Sequence, residues 1–317
     1  KEEGEGLSRV EWQGKSLVLK DLLTQFPQEM LGDEHCKNLG GELGILAKMI
    51  DSAERLSIQV HPDKEFSRKY FHSDYGKTEC WYILQTREVQ EQEPYLLMGF
   101  RPGVTRERWQ HCYETQDIRG MIDCMHKVTP KAGEVWLIDG GFPHAIGPGC
   151  CLIELQEPTD YTLRTEKTRS DGSLLPEQLI HQGAGEEGLM ECFHYDTLEE
   201  EQLRRLHCLE PECRACRDGS VWKKLVGVPY TQCFSMVSVQ VKERVDLPSN
   251  GGFQVAVVVK GEGRILSRGG DTVLRQGEHF FLPARMGDFS LCSNGKEPFE
   301  VLLCYPPHSM PVPPQED

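Results

Sequence analysis

Four side chains in the first half of the chain have the types and spacing to do metal chemistry: Gln59, His61, Glu79 and His144. Two imidazoles and a carboxylate are a common donor set for Zn²⁺, Fe²⁺ or Mn²⁺, and an amide oxygen can complete the shell. Gln59 and His61 lie in Leu56-Ser-Ile-Gln-Val-His-Pro62. Read at the period of a strand, Leu56, Ile58 and Val60 share one face while Ser57, Gln59 and His61 share the other. Glu79 follows in Gly76-Lys-Thr-Glu-Cys-Trp81, and His144 in Gly140-Gly-Phe-Pro-His-Ala-Ile-Gly147, a turn suited to the mouth of a barrel. So few protein ligands leave a coordination position open for a substrate, which suits catalysis better than a purely structural site.

A second polar line runs beside the first. Glu154 stands inside the apolar run Cys151–Leu155, where a carboxylate is costly unless paired. Asp160, Thr162 and Arg164 alternate with Tyr161 and Leu163 and are expected to share a face. Lys77, two before Glu79, falls on the metal-facing side, so the cavity is expected to hold two cations, Lys77 and Arg164. An anionic substrate would need such groups. The plainer alternative is an internal salt bridge among Lys77, Glu154, Asp160 and Arg164.

The elements that must position these groups are mostly strands. The pattern predicts strands over 44–50, 56–60, 80–85, 95–100, 135–138 and 151–155, with Pro62 ending the second. Helices are predicted over 17–26, 63–71 and 198–206, and one or two between Thr105 and His126. From Phe234 to Tyr305 the chain alternates strand and Gly/Pro punctuation at the spacing of a sandwich or jelly roll. The reading is a mainly β protein in two halves: residues 1–190 carrying the site with inserted helices, and residues 191–317 forming a linker and a second β domain. Lys1–Gly6 is expected to be loop-like, and the Pro-rich tail after Tyr305 to be an extended strap or disordered.

The 317 residues favour two domains. The composition, 38% hydrophobic and 27% charged, is that of a soluble globular protein, and a net charge of −15 argues against nonspecific binding to nucleic acid or anionic membrane. No apolar run approaches the roughly 20 residues that span a bilayer. Thirteen cysteines, an odd number without a secretory signal, read as reduced thiols in a cytoplasmic protein. Cys208, Cys213 and Cys216 lack a fourth ligand at matching spacing and read as a Cys-rich linker rather than a second zinc site. His72, His126 and His207 are expected at the surface. The chain opens at Lys1 without methionine, as one that has lost an N-terminal portion would.

Leu56-Ser-Ile-Gln-Val-His-Pro-Asp63, Gly76-Lys-Thr-Glu-Cys-Trp-Tyr82 and His144-Ala-Ile-Gly147, in that order, resemble the metal-site motifs of the type I mannose-6-phosphate isomerases in their shorter bacterial form. The resemblance runs from about Gly44 to Arg164 and continues more weakly through the C-terminal half. It implies two cupin-like jelly-roll β-barrels or sandwiches with a few peripheral helices, and one zinc ion per chain on Gln59, His61, Glu79 and His144. It also implies interconversion of mannose 6-phosphate and fructose 6-phosphate through an enediol. Arg164 matches the family's catalytic arginine, and Ser57 and Lys77 match substrate-pocket positions. Glu154 and Asp160 are then the candidates for the proton-transferring base, with Lys77 supplying charge. The expected partner is a sugar phosphate, and the expected assembly a monomer or homodimer. Family members usually begin several dozen residues earlier, with a Trp-Gly-Gly segment. Around the arginine this chain also departs from the family, reading Pro158-Thr-Asp-Tyr-Thr-Leu-Arg164 and then Thr165-Glu-Lys-Thr-Arg-Ser170. Two other readings of the same donors are a cupin oxygenase using Fe²⁺ and a degenerate, non-catalytic sugar-phosphate binder.

Overall fold

A computed structural model of the chain describes residues 7–314 apart from 170, 217 and 296; the expected loop over 1–6 lies outside these. The site-bearing unit, Leu46–Glu210, is built on two five-stranded antiparallel sheets. One sheet orders its strands Cys208–Leu209, Val135–Ile138, Glu79–Thr86, Cys150–Gln156 and Leu46–Asp51. The other runs Leu163–Arg164, Gln59–Val60, His144–Ile146, Leu96–Phe100 and Met125–Val128.

Side-chain alternation explains how the sheets stack. Leu96, Met98 and Ile146 of the second sheet bury against Trp81, Ile83, Trp136, Ile138 and Leu152 of the first. Their neighbours Leu97 and Ala145 turn to the other face, where Ile58, Val60 and Leu163 join them. That outer face is covered by helices Arg106–Thr115, Ile118–Asp123 and Gly185–Cys192, which contribute Trp109, Tyr113, Met121, Leu189 and Met190. Since Ile58 and Val60 face the helices, Gln59 and His61 face the space between the sheets. Only Gln59–Val60 of the expected strand 56–60 is regular; the chain before it is irregular and leaves Leu56 exposed.

The second compact unit joins the described residues up to Ile45 with those from Pro211 onward. A six-stranded and a four-stranded antiparallel sheet enclose one core, in which Val237, Val239, Ala256, Val301 and Leu303 meet Val245, Leu247, Ile265, Leu274 and Leu291. Each unit is thus a two-sheet sandwich rather than a closed barrel, and the expected mainly β architecture holds. The tail over 306–314 has no regular secondary structure.

The division of the chain differs from the expected 190/191 boundary. Helix Asp33–Leu39 sets His35 edge-on against Phe253, with ring centroids 5.0 Å apart, and Gly44 lies against Pro307, so the N-terminal segment is part of the C-terminal unit. Conversely, Leu203 of helix Glu200–His207 is in the core of the site-bearing unit, and Cys208–Leu209 extends its first sheet. Among the described residues, no helix is long and apolar enough to cross a membrane.

Candidate metal centre

The two sheets bring the expected donors together. Gln59 pairs across the ladder with His144, His61 follows the Gln59 strand directly, and Glu79 opens a strand of the opposite sheet. One nitrogen of each histidine and one oxygen of Glu79 lie within 4.8 Å of one another, and all three side chains are fully buried. His61 Nε2 is 3.1 Å from Glu79 Oε2, His144 Nε2 is 3.5 Å from Glu79 Oε1, and Gln59 Nε2 is 3.1 Å from His144 Nε2.

Each imidazole is oriented from behind. His61 Nδ1 contacts Tyr161 O at 2.8 Å and His144 Nδ1 contacts Phe142 O at 2.9 Å, so each Nδ1 carries the hydrogen and each Nε2 lone pair points inward. Burial and the Lys77 charge depress His61 to about 3, and burial depresses His144. Both rings are therefore neutral, the form that binds metals. Burial alone would push the Glu79 carboxyl up, but the Lys77 charge outweighs it and holds it well below the usual range. Glu79 Oε2 has no hydrogen bond of good geometry, though His61 Nε2 and Lys77 Nζ crowd it. Two neutral inward-facing imidazoles, an ionised carboxylate with an unsatisfied buried oxygen and an adjacent amide form a donor set that fits a divalent cation.

Two close approaches hold this geometry. A Cβ on Gly76 would meet Pro62 O at 2.9 Å, and Lys77 N–H donates to that oxygen. A Cβ on Gly140 would meet Asp63 Cα at 2.5 Å, and Gly141 N–H donates to His61 O at 2.7 Å. Asp63 itself caps helix Lys64–Phe71 through Phe66 N–H. The glycines let the Lys77 and His144 loops close on the His61 turn.

The second polar line is arranged differently from the sequence expectation. Lys77 is buried, with Nζ 2.9 Å from His61 Nε2 and 3.2 Å from Glu79 Oε2. Glu154 is paired with Lys48, 3.0 Å away and directly across the ladder, while Trp81 Nε1 donates to Glu79 Oε1 at 3.0 Å and approaches Glu154 Oε2 at 3.3 Å. Burial and the charge of Glu79 raise the Glu154 carboxyl above its ordinary value. Asp160 is exposed and 3.9 Å from Lys48, Thr162 is buried and Arg164 half-buried, and only Leu163–Arg164 of this stretch is regular strand. Arg164 lies opposite Gln59 in the ladder, and its Nη1 donates to Leu179 O at 2.8 Å and Thr162 O at 3.3 Å. Ser57 is half-buried on the irregular segment before Gln59.

Sequence reasoning missed Lys48 and Trp81. A lysine within the apolar run 44–50 was the available signal for Lys48. His126 and His207, expected at the surface, are buried: each finds a backbone acceptor, Leu198 O or Leu137 O, and His207 stacks on Phe142. Cys208, Cys213 and Cys216 belong to no three-donor group among the described residues.

Residues 6–82 match the family described as Phosphomannose isomerase type I, catalytic domain, and residues 226–297 match Mannose-6-phosphate isomerase, cupin domain. The mannose-6-phosphate isomerase ManA of Bacillus subtilis is 26% identical over 297 residues, covering 88% of this chain and 82% of its own. The mannose-6-phosphate isomerase of Streptococcus mutans is 25% identical over 289 residues, covering 85% and 79%. Two stretches of the chain thus match type I phosphomannose isomerase models, and mannose-6-phosphate isomerases align with most of its length. The crystal structure of the Bacillus subtilis mannose 6-phosphate isomerase superposes with a TM-score of 0.74 at 21% identity, over 93% of this chain and 84% of that one. A zinc-bound mannose 6-phosphate isomerase gives 0.72 at 17% identity, over 95% and 88%. At these identities the superpositions establish a shared phosphomannose isomerase fold.

Proposed function

We propose that the protein is a zinc-dependent aldose–ketose isomerase that interconverts mannose 6-phosphate and fructose 6-phosphate through an enediol. The observation that carries this reading is the buried convergence of His61, Glu79 and His144, with both imidazoles neutral and aimed inward. His61, Glu79 and His144 would hold the ion with the amide of Gln59, which presents oxygen instead of nitrogen by turning about its last torsion. Zinc, when bound, supplies a Lewis acid that polarises the sugar oxygens at C1 and C2.

The remaining groups handle charge and protons. Glu154, buried and with a raised carboxyl pKa, is better suited than exposed Asp160 to take a proton from C2 and return it to C1. Arg164 stabilises the negative charge that develops on the sugar oxygen. Lys77 and Ser57 face the anionic parts of the substrate, and Lys77 also keeps Glu79 ionised. Lys77 and Arg164 give an acidic protein local positive charge with which to receive an anion.

The test is a coupled assay for fructose 6-phosphate formed from mannose 6-phosphate by zinc-replete protein, with metal content measured on the same sample. Turnover lost in His61→Ala and in chelated protein, and restored to the latter by zinc, is the expected result. Bound iron with oxygen consumption and no isomerisation would instead support the oxygenase reading. Tight sugar-phosphate binding without turnover would reduce the protein to a binder.

A further inference from the structure

The strands that carry Gln59 and Arg164 are two residues long, with Leu163 facing Val60 and Arg164 facing Gln59. So short a ladder does not fix its own register, yet a slip of one residue would send Gln59 to the helix-covered face. The groups that hold the register lie just outside the strands. Ile58 O accepts both the N–H and the hydroxyl of Thr165, at 3.0 and 3.1 Å. Ile58 N–H donates to the Glu166 side chain, 2.7 Å from Oε1.

That carboxylate is gripped from its other side. Arg55 Nη1 donates to Glu166 Oε1 at 2.5 Å and Nη2 to Oε2 at 2.8 Å, a two-pronged pair with both side chains largely buried. Arg55 Nη1 also donates to Leu56 O at 2.9 Å, so the guanidinium spans the irregular segment that leads into Gln59. From the helix side, Gln116 donates to Thr165 O at 3.0 Å and accepts Lys167 N–H at 2.8 Å. Glu166 thus stands in for a missing ladder carbonyl, and Arg55 fixes where its oxygens sit.

We propose that Arg55 and Glu166 are positioning residues for the site: the pair locks residues 55–58 to residues 165–166 and thereby presents Gln59 to His144 and Arg164 opposite Gln59. They act through the backbone of Ile58 and Thr165 rather than by touching ion or substrate. An ion pair exposed to water would add little here, but a buried fork that also satisfies a backbone N–H leaves an unpaired group whichever partner is removed. The inference rests on the metal reading above, because its primary readout is zinc affinity.

The experiment measures zinc affinity by competition with a chromophoric chelator, well below each variant's thermal transition, together with the melting temperature of the metal-free protein. Glu166→Ala is expected to weaken zinc binding about tenfold or more, the range typical of lost outer-shell support. Glu166→Gln, which keeps an oxygen for Ile58 N–H, and Arg55→Lys, which keeps the charge but loses the fork, are expected to fall between it and the parent, about threefold weaker. A role confined to stability would lower the melting temperature and leave affinity unmoved, and that result overturns the proposal. If Glu166→Ala does not fold, the two milder variants decide: affinities within twofold of the parent in both overturn it. Failure of the underlying reading is seen separately, as absence of zinc binding by the parent protein.

Discussion

Replacing Gly140 by alanine tests how closely the His144 loop must approach the His61 turn. The added methyl would stand 2.5 Å from Asp63 Cα, 2.6 Å from Asp63 N and 2.8 Å from Asp63 Cβ. Non-bonded carbons settle at about 3.5 to 4.0 Å, so the loop must retreat by about 1 Å. Overpacking of this kind costs about 1–3 kcal/mol. The retreat also carries Gly141 N–H away from His61 O, and His144 with its loop away from Glu79. Losing such support typically weakens metal binding by about 10–100-fold, or about 1.4–2.7 kcal/mol. Gly133→Ala is the control. Gly133 has φ +89° with open space around its Cα, so alanine there costs about 1 kcal/mol or more of backbone strain and leaves the site in place. Zinc competition and thermal melting of both variants make the comparison. The reasoning is refuted if Gly140→Ala binds zinc within twofold of the parent, or if Gly133→Ala loses as much affinity.

Two further outcomes follow from the same geometry. Trp81→Phe removes the N–H that Glu79 Oε1 accepts and is expected to lower zinc affinity about tenfold, read by the same competition assay with the fold checked by circular dichroism. In the other unit, burial would raise the Asp218 carboxyl, but the Ser220 hydroxyl and the N–H groups of Arg244, Ser220 and Glu243 bring it to about 2. A depressed carboxylate stabilises the fold above its unfolded value near 4 and loses that contribution as pH falls through about 2. Asp218→Asn should therefore cost about 1–2 kcal/mol in urea unfolding at pH 7, after discounting for partial exposure, and less at pH 3.

The alternation of Ile58 and Val60 with Gln59 and His61 was legible because a strand has only two faces, and an apolar set on one commits the polar set to the other. The direction of that polar face was not legible from the segment alone. It points inward because helices Arg106–Thr115 and Gly185–Cys192 cover the apolar side, and the second of these is a short, Gly- and Glu-containing stretch with weak periodicity. The N-terminal segment went to the wrong unit for a related reason: His35 meets Phe253 across more than 200 residues, a contact no local pattern encodes.

Glu154 shows where the sequence argument could have gone further. A carboxylate in an apolar strand demands a partner, and Lys77 and Arg164 were the cations in view. The ladder instead sets Lys48 directly opposite Glu154, because the strand Leu46–Asp51 runs antiparallel to Cys150–Gln156 in that register. Lys48 was itself an anomaly, a lysine in a run otherwise fit for burial. Two charges of opposite sign, each isolated in an apolar strand, cost least when those strands are neighbours. Neighbouring strands place Glu154 beside Trp81 and hence beside Glu79, so the same rule that pairs Lys48 with Glu154 brings a second carboxylate next to the candidate metal centre.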